Sequence, residues 1–176
     1  MTKIRRLSTF ALICILPMLV YYPYEALSWN LDLSFLDWGR WTRNDRWVDP
    51  YAEIPLTTRI VFFSVWLVPT ALGWLAYATG ASMLWLLRGG TVFDFRIANR
   101  LVWMGLLIFG SATTSLLAGA VSPMIRSWHN AGGHLPLRFW YDSGNIGLAF
   151  SGLAFFFLGL VMREAIRIAR ENEEFV

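Results

Sequence analysis

The chain has 176 residues, of which 56% are hydrophobic, 16% aromatic and only 15% charged. An ordinary soluble domain carries about 25% charged residues. The deficit excludes a disordered or collagen-like chain and argues against a water-soluble enzyme, and a net charge of +3 is too small to suggest direct nucleic-acid binding.

The distribution of charge says more than the sum. Residues 7–24, 60–87, 101–125 and 143–162 contain no Asp, Glu, Lys or Arg. A helix needs about 20 mostly apolar residues to cross a hydrocarbon core, and a charge at mid-bilayer costs on the order of 3 kcal/mol. The four stretches therefore predict transmembrane helices over about 7–27, 58–88, 99–123 and 144–170 of a single membrane domain, 1–176.

The first predicted helix begins with Lys3, Arg5 and Arg6, as a signal peptide would, but its exit at Tyr22-Pro23-Tyr24-Glu25-Ala26 lacks a small-x-small cleavage site, so an uncleaved span is expected. The single cysteine, Cys14, lies inside it and reads as a packed apolar side chain. Glu25 and Arg59 stand at the outer ends of the first two spans, where they can pair as an anchor.

The outer loop 28–57 mixes Trp29, Trp38, Trp41 and Trp47 with arginines and carboxylates, a composition suited to a membrane–water interface or to a ligand-binding cap. Trp29, Leu31, Leu33 and Phe35 alternate with Asn30, Asp32 and Ser34, and Leu135, Leu137, Phe139 and Tyr141 alternate less cleanly in the second outer loop, 124–143. Period-2 alternation suits half-buried strands, so a small outer hairpin-like sheet is expected.

The second span holds Pro69, which is expected to kink it, and small residues at Gly73, Ala76 and Gly80. The third has Gly110, Thr114 and Ala118 on one face with Ser111, Ser115 and Gly119 beside it; the fourth has Gly147, Ser151, Gly152 and Gly159. Small residues at these spacings let backbones approach closely in lipid. The predicted fold is an all-α integral membrane four-helix bundle.

Four spans put both termini on one side. That side carries Lys3, Arg5, Arg6, Arg88, Arg96, Arg100, Arg163, Arg167 and Arg170, against Arg40, Arg43, Arg46, Arg59, Arg126 and Arg138 on the other. The excess of cations marks the cytoplasmic side, so both termini are expected there.

Chemistry-bearing motifs are scarce. His129 and His134 are the only histidines, five residues apart, and would be weak metal or haem candidates; zinc sites usually need three or four ligands. No nucleotide-binding, thiol-redox, zinc-protease or hydrolase motif occurs, so neither an enzyme nor a cofactor is expected. The inner loop 89–98 is richer: paired glycines end the second helix, Asp94 can cap the third, and Phe93 and Phe95 can dock at the interface or on a partner. In the tail, Arg163, Arg167 and Arg170 share one helical face, with Glu164 and Glu171 on a neighbouring one.

Two stretches carry a resemblance. The segment 88–105, running Arg-Gly-Gly-Thr-Val-Phe-Asp-Phe-Arg-Ile-Ala-Asn-Arg-Leu-Val-Trp-Met-Gly, looks like a G-x-x-F loop followed by Asn, Leu and Gly at the entrance to a third helix. The segment 163–176 looks like an acidic tail ending in Val. Together they resemble a family of small four-span bacterial membrane proteins catalogued as domain of unknown function 2975, with the hydrophobic layout agreeing over roughly residues 55–176. The resemblance implies a multi-pass protein of the bacterial inner membrane, often encoded beside a small helix-turn-helix regulator. By analogy it implies a non-enzymatic sensor or scaffold that docks such a regulator through Phe93, Asn99, Arg100, Arg167, Glu171, Glu173 and Glu174. The alternative is a small transporter or channel subunit, as a homo-oligomer, with a neutral path between the second and third helices.

Overall fold

A computed structural model of the chain describes residues 2–36, 54–90, 93–130, 137–138 and 142–173. Four long helices make up nearly all of it: α1 (Thr2–Leu31), α2 (Leu56–Leu87), α3 (Phe95–Ser127) and α4 (Ser143–Glu173). Each is long and apolar enough to cross a membrane.

The ends of these helices follow from local chemistry. Leu87 is the last residue of α2, and a tight turn follows it, in which Gly89 N donates to Leu86 O and Gly90 N to Leu87 O. Gly90 has φ +87°, a region where a Cβ is strained. Asp94 caps α3 by accepting from Arg96 N at 2.8 Å. Asp142 does the same for α4, accepting from Gly144 N at 3.0 Å.

The helices pack in chain order, α1 on α2, α2 on α3 and α3 on α4, while α1 and α4 do not pack along each other. Every neighbouring pair is antiparallel. Tyr22 reaches Gly73 while Ile15 meets Gly80; Trp66 bonds Ser122 while Arg100 bonds Ser82; Phe109 meets Gly152 while Val102 meets Gly159. Both chain termini therefore lie at one end of an open bundle.

Small residues form the contacts. A Cβ on Gly152 would stand 2.6 Å from Phe109 N and 2.9 Å from Gly105 O, and one on Gly159 would stand 2.7 Å from Val102 N. The backbones of α3 and α4 touch there. Buried positions on α2 and α3 are mainly Ala, Gly, Ser and Thr, including Ala76, Ala98, Ala112 and Ser111. Large apolar side chains point the other way: Val20 is 73% exposed, Phe150 69% and Val161 66%. The one cluster of larger buried side chains, Ile54, Phe62 and Ile125, lies at the end of the bundle away from the termini.

Proline is accommodated inside the helices. Pro17 and Pro23 lie in α1, Pro69 in α2 and Pro123 in α3. Pro23 has no N–H, so the carbonyl four residues earlier, that of Leu19, loses its intrahelical donor. Trp74 Nε1, on α2, donates to that carbonyl at 2.9 Å. A helix defect in one element is thus repaired by the next, and the repair fixes how the two align.

The expected outer sheet is not formed by its first half. Residues 29–31 finish α1 and Asp32–Leu36 form a π-helical turn. The burial is the reverse of the strand reading: polar Asn30 and Ser34 are buried, whereas Trp29 and Leu31 are exposed. Asn30 and Ser34 are four residues apart, which is one helical turn, so the polar positions of the alternation also mark a single helix face. Of the second alternating segment only Leu137 and Arg138 are described; the rest, like the Trp-rich stretch 37–53, lies outside the described residues.

Replacing Gly152 by Leu forces α3 and α4 apart and should cost about 1–3 kcal/mol of stability. Thermal melting in detergent checks this, with Ser151→Leu on the exposed neighbouring position expected to leave the midpoint nearly unchanged. Trp74→Phe should cost about 1 kcal/mol by stranding the Leu19 carbonyl. In a Pro23→Ala background, which restores the intrahelical donor, the same change should cost less than half as much; equal costs in both backgrounds would contradict the repair.

Candidate functional site

Two concave regions lie at opposite ends of the bundle. The first is at the end that holds the termini. There α3 begins and α4 runs past its last charge-free residue, Met162. A groove of about 590 Å³ is lined by Phe95, Leu160, Ile166 and the arginines Arg163, Arg167 and Arg170. Arg163 lies over the Phe95 ring at 4.9 Å from its centroid, a cation–π contact that ties α4 to the start of α3. Phe93, two residues before α3, is 77% exposed.

Arg167 is held by two carboxylates. Its Nε donates to Glu164 Oε2 at 3.1 Å, its Nη2 to Glu164 Oε1, and its Nη1 lies 3.4 Å from Glu171 Oε1. Glu164, Arg167 and Glu171 are more than half exposed, so the pairing shapes the surface more than it stabilises the fold. The groove presents three arginines against Glu164 and Glu171, a net +1, beside the Phe95 ring.

The expected docking residues divide. Arg167 and Glu171 do line the groove. Asn99 is half-buried on α3, and Arg100 turns away from the tail, with Nη1 donating to Ser82 Oγ on α2. Arg100 thus clamps α2 to α3. Glu173 is the last residue of α4, and Glu174 lies outside the described residues. Phe95, expected to dock at the interface or on a partner, and Arg163, expected on the arginine face of the tail, also line the groove, and they pair with each other. Their signal in the sequence is weak, since a lone Phe after a capping Asp pairs with a cation 68 positions away only once α3 and α4 are antiparallel.

The second region is at the other end. A cleft of about 380 Å³ is walled by all four helices: Tyr22 and Glu25 from α1, Trp66 and Pro69 from α2, Ser111 from α3 and Leu148 from α4. An adjoining recess of about 300 Å³ shares Trp66, Ser115 and Asn145 and adds Arg126, Arg138 and Asp142. Pro69 and Ser111 sit near the middle of their helices, so the cleft reaches from the bundle end to its mid-depth. Its hydroxyls are largely committed. Ser111 Oγ donates to Pro69 O at 2.9 Å and also meets the Tyr22 hydroxyl, and Thr70 Oγ1 donates to Trp66 O at 2.9 Å.

Glu25 does not pair with Arg59. Its carboxylate has no hydrogen bond or ion pair among the described residues, whereas Arg59 is engaged elsewhere. No sequence motif could have marked this cleft, because its walls come from four helices and only Glu25 carries a charge near a span. Among the described residues no group of three His, Cys, Asp or Glu side chains could hold a metal ion. His129 follows α3, and His134 lies outside the described residues.

No family model, curated protein or solved structure matches the chain.

Proposed function

We propose that this chain is a multi-pass protein of a bacterial cytoplasmic membrane, with both termini in the cytoplasm, that works as a non-enzymatic sensor or scaffold. It docks a small cytoplasmic regulator of the helix-turn-helix type on the groove between α3 and α4. Membrane insertion is supported by the inverted partition of side chains. Among the described residues more than thirty large apolar side chains are exposed. In water an apolar surface of this extent carries the cost of contact with solvent, which soluble proteins avoid by keeping such patches small or covering them by association. In lipid that cost vanishes. The cytoplasmic placement of the termini rests on the nine cations at their end against six at the other.

The observation that carries the docking reading is the groove itself. Exposed Phe93, half-exposed Phe95 and a cationic helix face make a surface with aromatic anchors and a positive rim, which suits a partner with an acidic, apolar helix. The small residues of α2 and α3 are taken up by mutual packing at Gly73, Gly80 and Ser111, which favours this reading over a neutral path between those helices.

Photo-crosslinking amino acids at Phe93 and Glu171, in native membranes, test the proposal. Both positions should capture one and the same small helix-turn-helix protein, and Arg163→Ala with Arg170→Ala should abolish capture while insertion is unchanged. Capture of only lipid from both positions would contradict it.

A further inference from the structure

The cleft at the end away from the termini has features of a ligand site that the docking reading does not use. Its volume, about 380 Å³, lies within the range of small-molecule sites. Glu25 is six residues before the end of α1, about 9 Å along the helix axis, and faces into this cleft. Glu25 is itself exposed, so a ligand can reach it, and its carboxylate has no hydrogen bond or ion pair among the described residues. Tyr22, Trp29 and Trp66 line the same cleft, and aromatic faces attract cations.

An anion is disfavoured here. The hydroxyls nearest mid-depth already donate to backbone carbonyls, and Arg126 and Arg138 in the adjoining recess already have interactions of their own. Ala26, Pro69 and Leu148 give the rest of the wall an apolar stretch, and of the amides beside it Asn30 donates to Ala26 O and Asn145 to Asp142. Because α1 and α4 do not pack along each other, the cleft is open sideways, toward the surface that carries exposed Val20 and Phe150.

We propose that this cleft binds an amphiphilic cation, with its positive group beside Glu25 and its apolar body against Tyr22, Trp66, Pro69 and Leu148. The ligand enters between α1 and α4 from the apolar surroundings. The positive group belongs either to a free lipophilic organic cation or to an amine-headed phospholipid. This site stands apart from the groove at the other end, so either can fail without the other.

Equilibrium dialysis of the purified full chain in a nonionic detergent, with tetraphenylphosphonium as the probe, tests the proposal. Wild type should show one saturable site per chain. Glu25→Gln should weaken binding tenfold or more, and Glu25→Asp only a few-fold. Neutral triphenylphosphine oxide should not displace the probe from wild type, a readout that needs no variant to fold. Displacement by phosphatidylethanolamine but not by phosphatidylglycerol supports the amine-headed lipid as the source, and displacement by neither supports a free cation. Absence of saturable binding, equal binding by Glu25→Gln, or displacement by the neutral compound or by phosphatidylglycerol would overturn it.

Discussion

Where α3 crosses α4 no side chain separates the two backbones. Gly105, Gly152 and Gly159 bring main-chain atoms of one helix against those of the other. Contacts of this kind are what can hold helices together in an apolar solvent, where hiding Leu and Phe gains nothing. The rest of the arrangement follows from it. With α3 and α4 fixed antiparallel, Phe95 meets Arg163 and the groove is formed. With Gly73 admitting Tyr22 and Trp74 reaching the Leu19 carbonyl, α1 is fixed on α2. No comparable contact joins α1 to α4, and the cleft lies where that contact is missing.

Polar groups inside the bundle act locally. Ser111 on the Pro69 carbonyl, Trp66 on Ser122 and Trp128 on Thr58 each join α2 to α3 or to the turn that follows it. Each of these three donors finds an acceptor, as burial away from water requires. The charges that resist such pairing lie toward the two ends, and both candidate sites use them. At one end arginines on α4 offset the carboxylates around them; at the other a single carboxylate waits among rings.

The positions of the four helices were legible in the sequence because charge is excluded from long stretches, a constraint that acts on every residue of a span. Their ends were less so. The absence of charge does not register that α1 takes in Lys3, Arg5 and Arg6 at one end and continues to Leu31 at the other. The alternation from Trp29 to Phe35 misled because period 2 was read with apolar residues inward, whereas Trp29 and Leu31 are exposed and the polar Asn30 and Ser34 are buried. At the end that holds the termini, Arg167 and Glu171 were named from a resemblance, and their contact follows from i, i+4 spacing on one helix. The pairing of Phe95 with Arg163, the turning of Arg100 toward Ser82, and the cleft around Glu25 depend on which helix lies beside which. That order of packing is not written in any local pattern.

The central claim is that the large apolar residues face hydrocarbon while small ones face each other. Nitroxide labels at Leu16, Leu67 and Phe157, introduced as single cysteines in a Cys14→Ser background and reconstituted in liposomes, test it most directly. The account predicts frequent collision with oxygen and little with a water-soluble nickel chelate at all three, and little with either at Ala112. Nickel reaching the three outer positions as readily as it reaches a label at Glu171 would contradict it.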